Sequence, residues 1–106
     1  MSRMAKEEYK RMKDKVEVVL KNYPYYLIAL ENPEKIEDDY KRIVNAINYV
    51  YERLDTTSKR IVDMLYYRDD WEARDIQKEL MIDKNKFYDK KKKALDKFII
   101  VLDNIC

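Results

Sequence analysis

Residues 71–98, WEARDIQKELMIDKNKFYDKKKKALDKF, decide the fold, because they read as a helix, a three-residue turn and a second, far more basic helix. Apolar Ile76, Leu80, Ile82, Phe87, Ala94, Leu95 and Phe98 are spaced so that two short helices pack on each other. Lys84, Lys86 and Lys90 to Lys93 load the second helix with positive charge, and the polarity changes in register with the turn. A helix-turn-helix that docks on DNA needs this combination of a small self-packed core and one cationic helix face.

The charge is local rather than global. Over 106 residues the net charge is only +2, so no overall field draws the chain to nucleic acid. Residues 84–97 hold seven Lys against two Asp, a local +5, whereas residues 55–83 hold five basic and eight acidic residues, a local −3. Composition points the same way on fold. Length fits one domain, and 46% hydrophobic residues suffice for a core under a highly charged exterior. Glycine is absent, where an average chain of this length carries about seven. With only two prolines as well, strands joined by tight turns are disfavoured and helices become the default. The expected class is all-α, with five or six helices.

Working outward from the quoted stretch, Asp83 is positioned to cap the last helix by accepting from the backbone amide of Asn85 or Lys86. That helix continues on Phe87, Ala94, Leu95, Phe98, Leu102 and Ile105. Asp70 is the corresponding cap for the helix starting near Trp71 or Glu72, after a polar turn at Arg68-Asp69-Asp70. Trp71 reads as a core or elbow residue. Upstream, Asp55 to Ser58 is a cluster of capping residues, and the helix behind it, about 58–67, is expected to bury Ile61, Met64 or Leu65, with Tyr66 a further candidate.

Asn32 and Pro33 read as an N-cap with proline at the first helical position. The long helix they open runs to about Leu54 on Ile36, Tyr40, Ile43, Ile47, Val50 and Leu54, a heptad seam about two and a half repeats long. The seam packs either against the first helix or between two chains. That first helix steps on Tyr9, Met12, Val16, Val19, Leu20 and Tyr23 and ends near Pro24, since proline disfavours a helical residue before it. Tyr25 to Leu30 forms a short buried helix or helical turn. Tyr49 and Tyr51 lie off the seam and require a second buried face. The expected organisation is a helical scaffold or dimerisation segment at 1–54 and a DNA-binding segment at 55–106, within one compact domain.

Chemistry is scarce. There is no histidine, and the single cysteine, Cys106, allows no intramolecular disulfide. The usual zinc ligands and most nucleophile arrangements are therefore missing, and no glycine-rich loop cradles phosphate. Glu37-Asp38-Asp39 and Asp69-Asp70 are adjacent in sequence, so their side chains diverge on a helix and read as solvated surface. The expectation is a non-enzyme without cofactor or metal. No apolar run of signal or membrane-spanning length follows the basic first residues, so a cytoplasmic protein is expected.

The pattern at residues 73–98 resembles the helix-turn-helix of sigma-factor region 4, with Asp75-Ile76-Gln77, then Leu80-Met81-Ile82-Asp83, then Ala94-Leu95 in its slots. A nearer likeness is to phage late-gene transcription regulators of the RinA and ArpU type, which place a Tyr-Pro-x-Tyr element ahead of such a motif. Here Tyr23-Pro24-Tyr25-Tyr26 stands in that position, and Phe87-Tyr88 followed by lysines looks like their recognition helix. The resemblance implies a sequence-specific, double-stranded-DNA-binding transcription regulator of phage or prophage. RNA polymerase is a further candidate partner, and the heptad seam with the off-seam tyrosines leaves a homodimer through the N-terminal helices as one alternative to packing within the chain. Three positions depart from it. Gln77 fills a small-residue slot and must point out or push the helices apart. Met81 replaces the common turn glycine, where a left-handed backbone is strained. Lys90 fills a slot that is often apolar and must lay its stem on the core while lifting its ammonium out.

On this fold Lys84, Asn85, Tyr88 and Asp89 occupy the leading, groove-facing part of the last helix. Asn85 suits adenine, Lys84 guanine, Asp89 a cytosine amine, and Tyr88 a thymine methyl. Lys86, Lys91, Lys92 and Lys93 suit phosphates, with Arg68 and Arg74 on the opposite phosphate wall. The same lysines also read as a plain solvated helix face. Two other functions fit the sequence: a helical protein-interaction module that binds no DNA, favoured by the acidic 55–83 stretch, and a small phage DNA-packaging subunit.

Overall fold

Two aspartates punctuate the C-terminal half. Asp55 accepts from the Ser58 amide at 2.7 Å and Asp83 from the Lys86 amide at 2.7 Å, each satisfying an orphan donor of a first helical turn. The computed structural model describes residues 5–32, 38–68 and 70–103, which form six helices and no strand. They are α1 (Lys6–Lys21), α2 (Tyr23–Leu30), α3 (Asp38–Tyr51), α4 (Thr56–Val62), α5 (Ala73–Leu80) and α6 (Lys84–Leu102). A π-helical turn, Asp63–Tyr67, prolongs α4, with the Arg68 amide donating to the Asp63 carbonyl at 2.9 Å. The protein is all-α. No described helix is long and apolar enough to cross a membrane.

Two apolar cores sit side by side, which fits the flattened envelope of 45 × 35 × 22 Å. The larger draws Val16, Val19 and Leu20 from α1, Ala46, Ile47 and Val50 from α3, and Ala94, Leu95, Phe98, Ile99 and Leu102 from α6. It therefore spans the expected 54/55 segment boundary. The smaller core holds Ile61, Met64, Ile76 and Phe87, with Trp71, Leu80 and Ile82 packed against it. The α4 segment serves both. Ile61 and Met64, three residues apart, face the small core, while Val62 and Tyr66, four apart, face the large one.

Several expectations are corrected. Asp70 does not cap α5: the helix begins only at Ala73, so the N-cap position falls to Glu72, which is extended (φ −84, ψ 157) and makes no side-chain capping hydrogen bond. Since Asp55 itself caps α4, Thr56, Thr57 and Ser58 lie inside its first turn, and the helix starts earlier than the sequence indicated. α2 is helical but buries no residue; Tyr25 is 69% and Ile28 62% exposed, since the helix is covered from one side only, chiefly by α3. The seam of α3 packs within the chain, chiefly on α6 and α2 rather than on α1. α3 ends at Tyr51, and the expected start at Pro33, Ile36, and Ile105 at the other end lie outside the described residues.

Of the off-seam tyrosines, Tyr51 is absorbed in a ring stack, with Tyr67 4.6 Å from Tyr23 and 5.7 Å from Tyr51, centroid to centroid. Tyr23 also donates its hydroxyl to Asn48 Oδ1 at 2.6 Å. Tyr49 stays exposed under the Arg53 guanidinium, 3.6 Å from the ring centroid.

The turn between α5 and α6 closes as a Schellman motif. The Ile82 amide donates to the Gln77 carbonyl at 3.0 Å and the Met81 amide to the Lys78 carbonyl at 3.2 Å, with Ile82 packed on the small core as the accompanying apolar contact. Met81 takes the left-handed conformation, φ 56 and ψ 44, that glycine normally supplies, and its side chain is 91% exposed. Left-handed backbone costs an L-residue roughly 1–2 kcal/mol, partly offset by the smaller entropy it loses on folding relative to glycine. Met81→Gly is expected to raise unfolding stability by about 0.5–1 kcal/mol in urea denaturation, while Met81→Ala gives no gain. A destabilised glycine variant would contradict the backbone geometry.

Candidate nucleic-acid interface

The first turns of α6 are held from beneath by Phe87, fully buried in the small core, and from the front by the Asp83 cap. Successive residues of a helix rotate by about 100°, so α6 divides into sides. One faces α1 through Tyr88, Lys91, Lys92 and Leu95. Another carries Lys90 toward the start of α4. Between them Asn85, Lys86, Asp89 and Lys93 form one exposed stripe, with exposed Lys84 at the helix start.

The lysine run is divided accordingly. Lys90 Nζ lies 2.8 Å from Asp55 Oδ2, joining α6 to the N-cap of α4, and is half-buried as its stem position requires. Lys91 Nζ lies 3.6 Å from Glu17 Oε2 on α1, and that same carboxylate accepts from the Tyr66 hydroxyl at 2.7 Å. Burial, then Glu17, holds the Tyr66 hydroxyl far above its usual range, so it stays a donor. Lys92 pairs with Asp96 at 3.0 Å and Lys93 with Asp89 at 3.1 Å, both within the helix and exposed. Neither Lys84 nor Lys86 has an ion pair among the described residues. Of the arginines, Arg68 closes on Asp63 at 3.1 Å, while Arg74 is exposed in the first turn of α5.

The structure thus brings Lys84, Asn85, Lys86, Asp89 and Lys93 onto one exposed end and stripe of α6, with Tyr88 and Lys92 along its α1 edge. It sets Lys91 apart against α1 and Arg68 apart against Asp63. Sequence reading missed Tyr9 and Lys13, which reach the α1 edge of α6 from the other end of the chain. The Tyr9 hydroxyl donates to Asp96 Oδ1 at 2.6 Å, and burial followed by Asp96 pushes its pKa up to about 12. Nothing in the spacing of Tyr9 distinguished it from an ordinary core aromatic. Among the described residues no group of three acidic or cysteine side chains is arranged to hold a metal ion.

The Asp55–Lys90 pair has a pH signature. Its hydrogen bond from Lys90, then that from the Ser58 amide, hold the Asp55 carboxyl at about 2, below its ordinary 3.8. A depressed folded-state pKa contributes stability above the unfolded value and loses it as pH falls through the folded one. Asp55→Asn keeps a capping side chain but loses the charge, and is expected to lower stability by less than about 1 kcal/mol at neutral pH, because the pair is solvent-screened. The difference should fade between about pH 4 and pH 2 in pH-dependent thermal unfolding; a gap that persists unchanged at pH 2 rules the charge pair out as its cause. No family model matches the chain, and no curated protein or solved structure is similar enough to place it.

Proposed function

We propose that this protein is a sequence-specific, double-stranded-DNA-binding transcription regulator that sets the first turns of α6 into the major groove. One observation carries the reading. Lys84 and Lys86 stand exposed in the first turn of α6, without an ion pair among the described residues, where the helix dipole opposes positive charge and acidic residues are the stabilising choice. Phosphates along a groove supply the compensating charge that the fold itself withholds.

Asn85 and Asp89, one helical turn apart on the exposed stripe, are the base-reading candidates, with Lys84 at the leading edge and Tyr88 beside them. Lys86, Lys92, Lys93 and Arg74 are placed for phosphates, whereas Lys91 and Arg68 join only by leaving Glu17 and Asp63. The likeness of residues 73–98 to sigma region 4, and of the Tyr23-Pro24-Tyr25-Tyr26 element to phage late-gene regulators, supports a phage-type regulator acting in the cytoplasm. A second reading has its own observation. Tyr25, Leu27 and Ile28 of α2 and Val18 of α1 are exposed apolar side chains, the kind of surface on which a helical interaction module meets a protein such as RNA polymerase or a second copy.

Replacing Lys84, Lys86 and Lys92 with alanine is expected to weaken duplex binding and flatten its salt dependence. Loss of the Lys86 and Lys92 phosphate contacts, at roughly 0.9 per phosphate and with Lys84 counted at the base edges, reduces the slope of log K against log salt by about 1.8. Unchanged affinity and slope would remove α6 from the interface. The double reversal Lys84→Glu with Lys86→Glu should abolish duplex binding while stabilising the fold by about 0.5 kcal/mol at low salt, read by thermal unfolding. Loss of stability would mean that these lysines serve the fold.

A further inference from the structure

A cleft of about 280 Å3 opens between α1 and α6, along the α1 edge of the exposed stripe of α6. Buried Leu95 floors it, and Tyr9 and Tyr88 wall it. Both rings are held in place beforehand, Tyr9 by its hydrogen bond to Asp96 and Tyr88 by an edge-on contact with Phe87, centroids 5.0 Å apart. Lys13, Lys91 and Lys92 stand on the rim. Lys92 Nζ lies 5.2 Å from the Tyr9 ring centroid and Lys91 Nζ 5.8 Å from that of Tyr88, within cation–π reach. Against these three ammonium groups stand two carboxylates, Glu17 and Asp96, which leaves the rim at +1.

We infer that this cleft is a second binding site, distinct from the groove-entering stripe, and that it takes one nucleotide unit, its base against the tyrosine rings and its phosphate on the lysine rim. The lining is mostly carbon, so an extended peptide would leave backbone N–H and C=O groups without partners there. A base buries only its faces and keeps its polar edge toward the open side. Tyrosine platforms with cationic rims bind bases without regard to sequence, because every base has a π-face. Walls that are already fixed spare the ordering cost that flexible side chains impose on a ligand. Tyr88, Lys91 and Lys92 border the cleft from α6, while Tyr9 and Lys13 belong to it alone, so the two sites can be separated by mutation.

The test is titration of isotope-labelled protein at low salt with adenosine monophosphate, an adenine tetranucleotide and inorganic phosphate, followed through backbone amide shifts. Shifts confined to residues 9–13 and 88–95 are expected with the tetranucleotide. The same shifts with the monophosphate extend the site to free nucleotides, and their absence restricts it to strands. Tyr9→Leu and Lys13→Gln should each weaken nucleotide binding at least about fivefold, whereas Tyr9→Phe, which keeps the ring and loses only the hydrogen bond to Asp96 that steadies it, should weaken binding less than Tyr9→Leu. Neither Tyr9→Leu nor Lys13→Gln should alter duplex binding. Shifts reproduced in full by inorganic phosphate, shifts elsewhere, or wild-type nucleotide affinity in Lys13→Gln overturn the inference. Nucleotide binding without any duplex binding sustains it and removes only the groove-entry reading.

Discussion

The apolar stripe of α6 is the constraint on which the rest of the structure depends. Phe87 is locked in the small core, and Ala94, Leu95, Phe98, Ile99 and Leu102 line the large one, so a single 19-residue helix is the wall common to both. α1, α3 and α4 are arranged around it, and α5 is fixed to its N-terminal end through Ile76. Because both cores close on the same rigid rod, the first turns of α6 are presented at a set angle to the scaffold. The α4 segment reinforces this by sending Ile61 and Met64 to one core and Val62 and Tyr66 to the other. A separable scaffold and reading head would need two independent cores; here the cores share a beam.

The same helix shows how a run of like charges is resolved by tertiary position. Four consecutive lysines on one helix point in four directions, and the fold supplies different partners to each. Lys90 joins the N-cap of α4, Lys91 meets the Glu17–Tyr66 pair, and Lys92 and Lys93 find aspartates one turn away. The pairs within α6 are exposed and contribute little to stability, whereas those of Lys90 and Lys91 link α6 to α4 and to α1. The positive field of the region therefore comes less from the conspicuous lysine run than from Lys84 and Lys86, which the helix dipole opposes.

Tyrosine does much of the packing that a glycine-free chain of this size needs. Its rings fill space as phenylalanine would, and its hydroxyls reach across long stretches of chain, from Tyr9 to Asp96, Tyr23 to Asn48 and Tyr66 to Glu17. These polar tips tie helices distant in sequence and fix their register. The missing glycine shows its effect at Met81, where the turn geometry prevails over the residue's preference because Ile82 must reach the small core.

Much of this was legible in the residues alone. Helical class, the Asp83 cap, the apolar positions of α5 and α6, the left-handed strain at Met81 and the snorkelling of Lys90 follow from local rules of spacing, capping and backbone sterics. The break expected near Pro24 falls at Asn22, and Tyr23 and Pro24 open α2 instead, proline being tolerated in a first helical turn. What only the tertiary structure decided is which faces meet: the seam of α3 against α6 and α2, the exposure of α2, the partners of Lys90 and Lys91, and the cleft that Tyr9 and Lys13 share with Tyr88. The reason is physical. Periodicity marks that a face is apolar, but its partner is chosen by how six short helices close two cores at once, and by contacts as far apart in sequence as Tyr9 and Asp96.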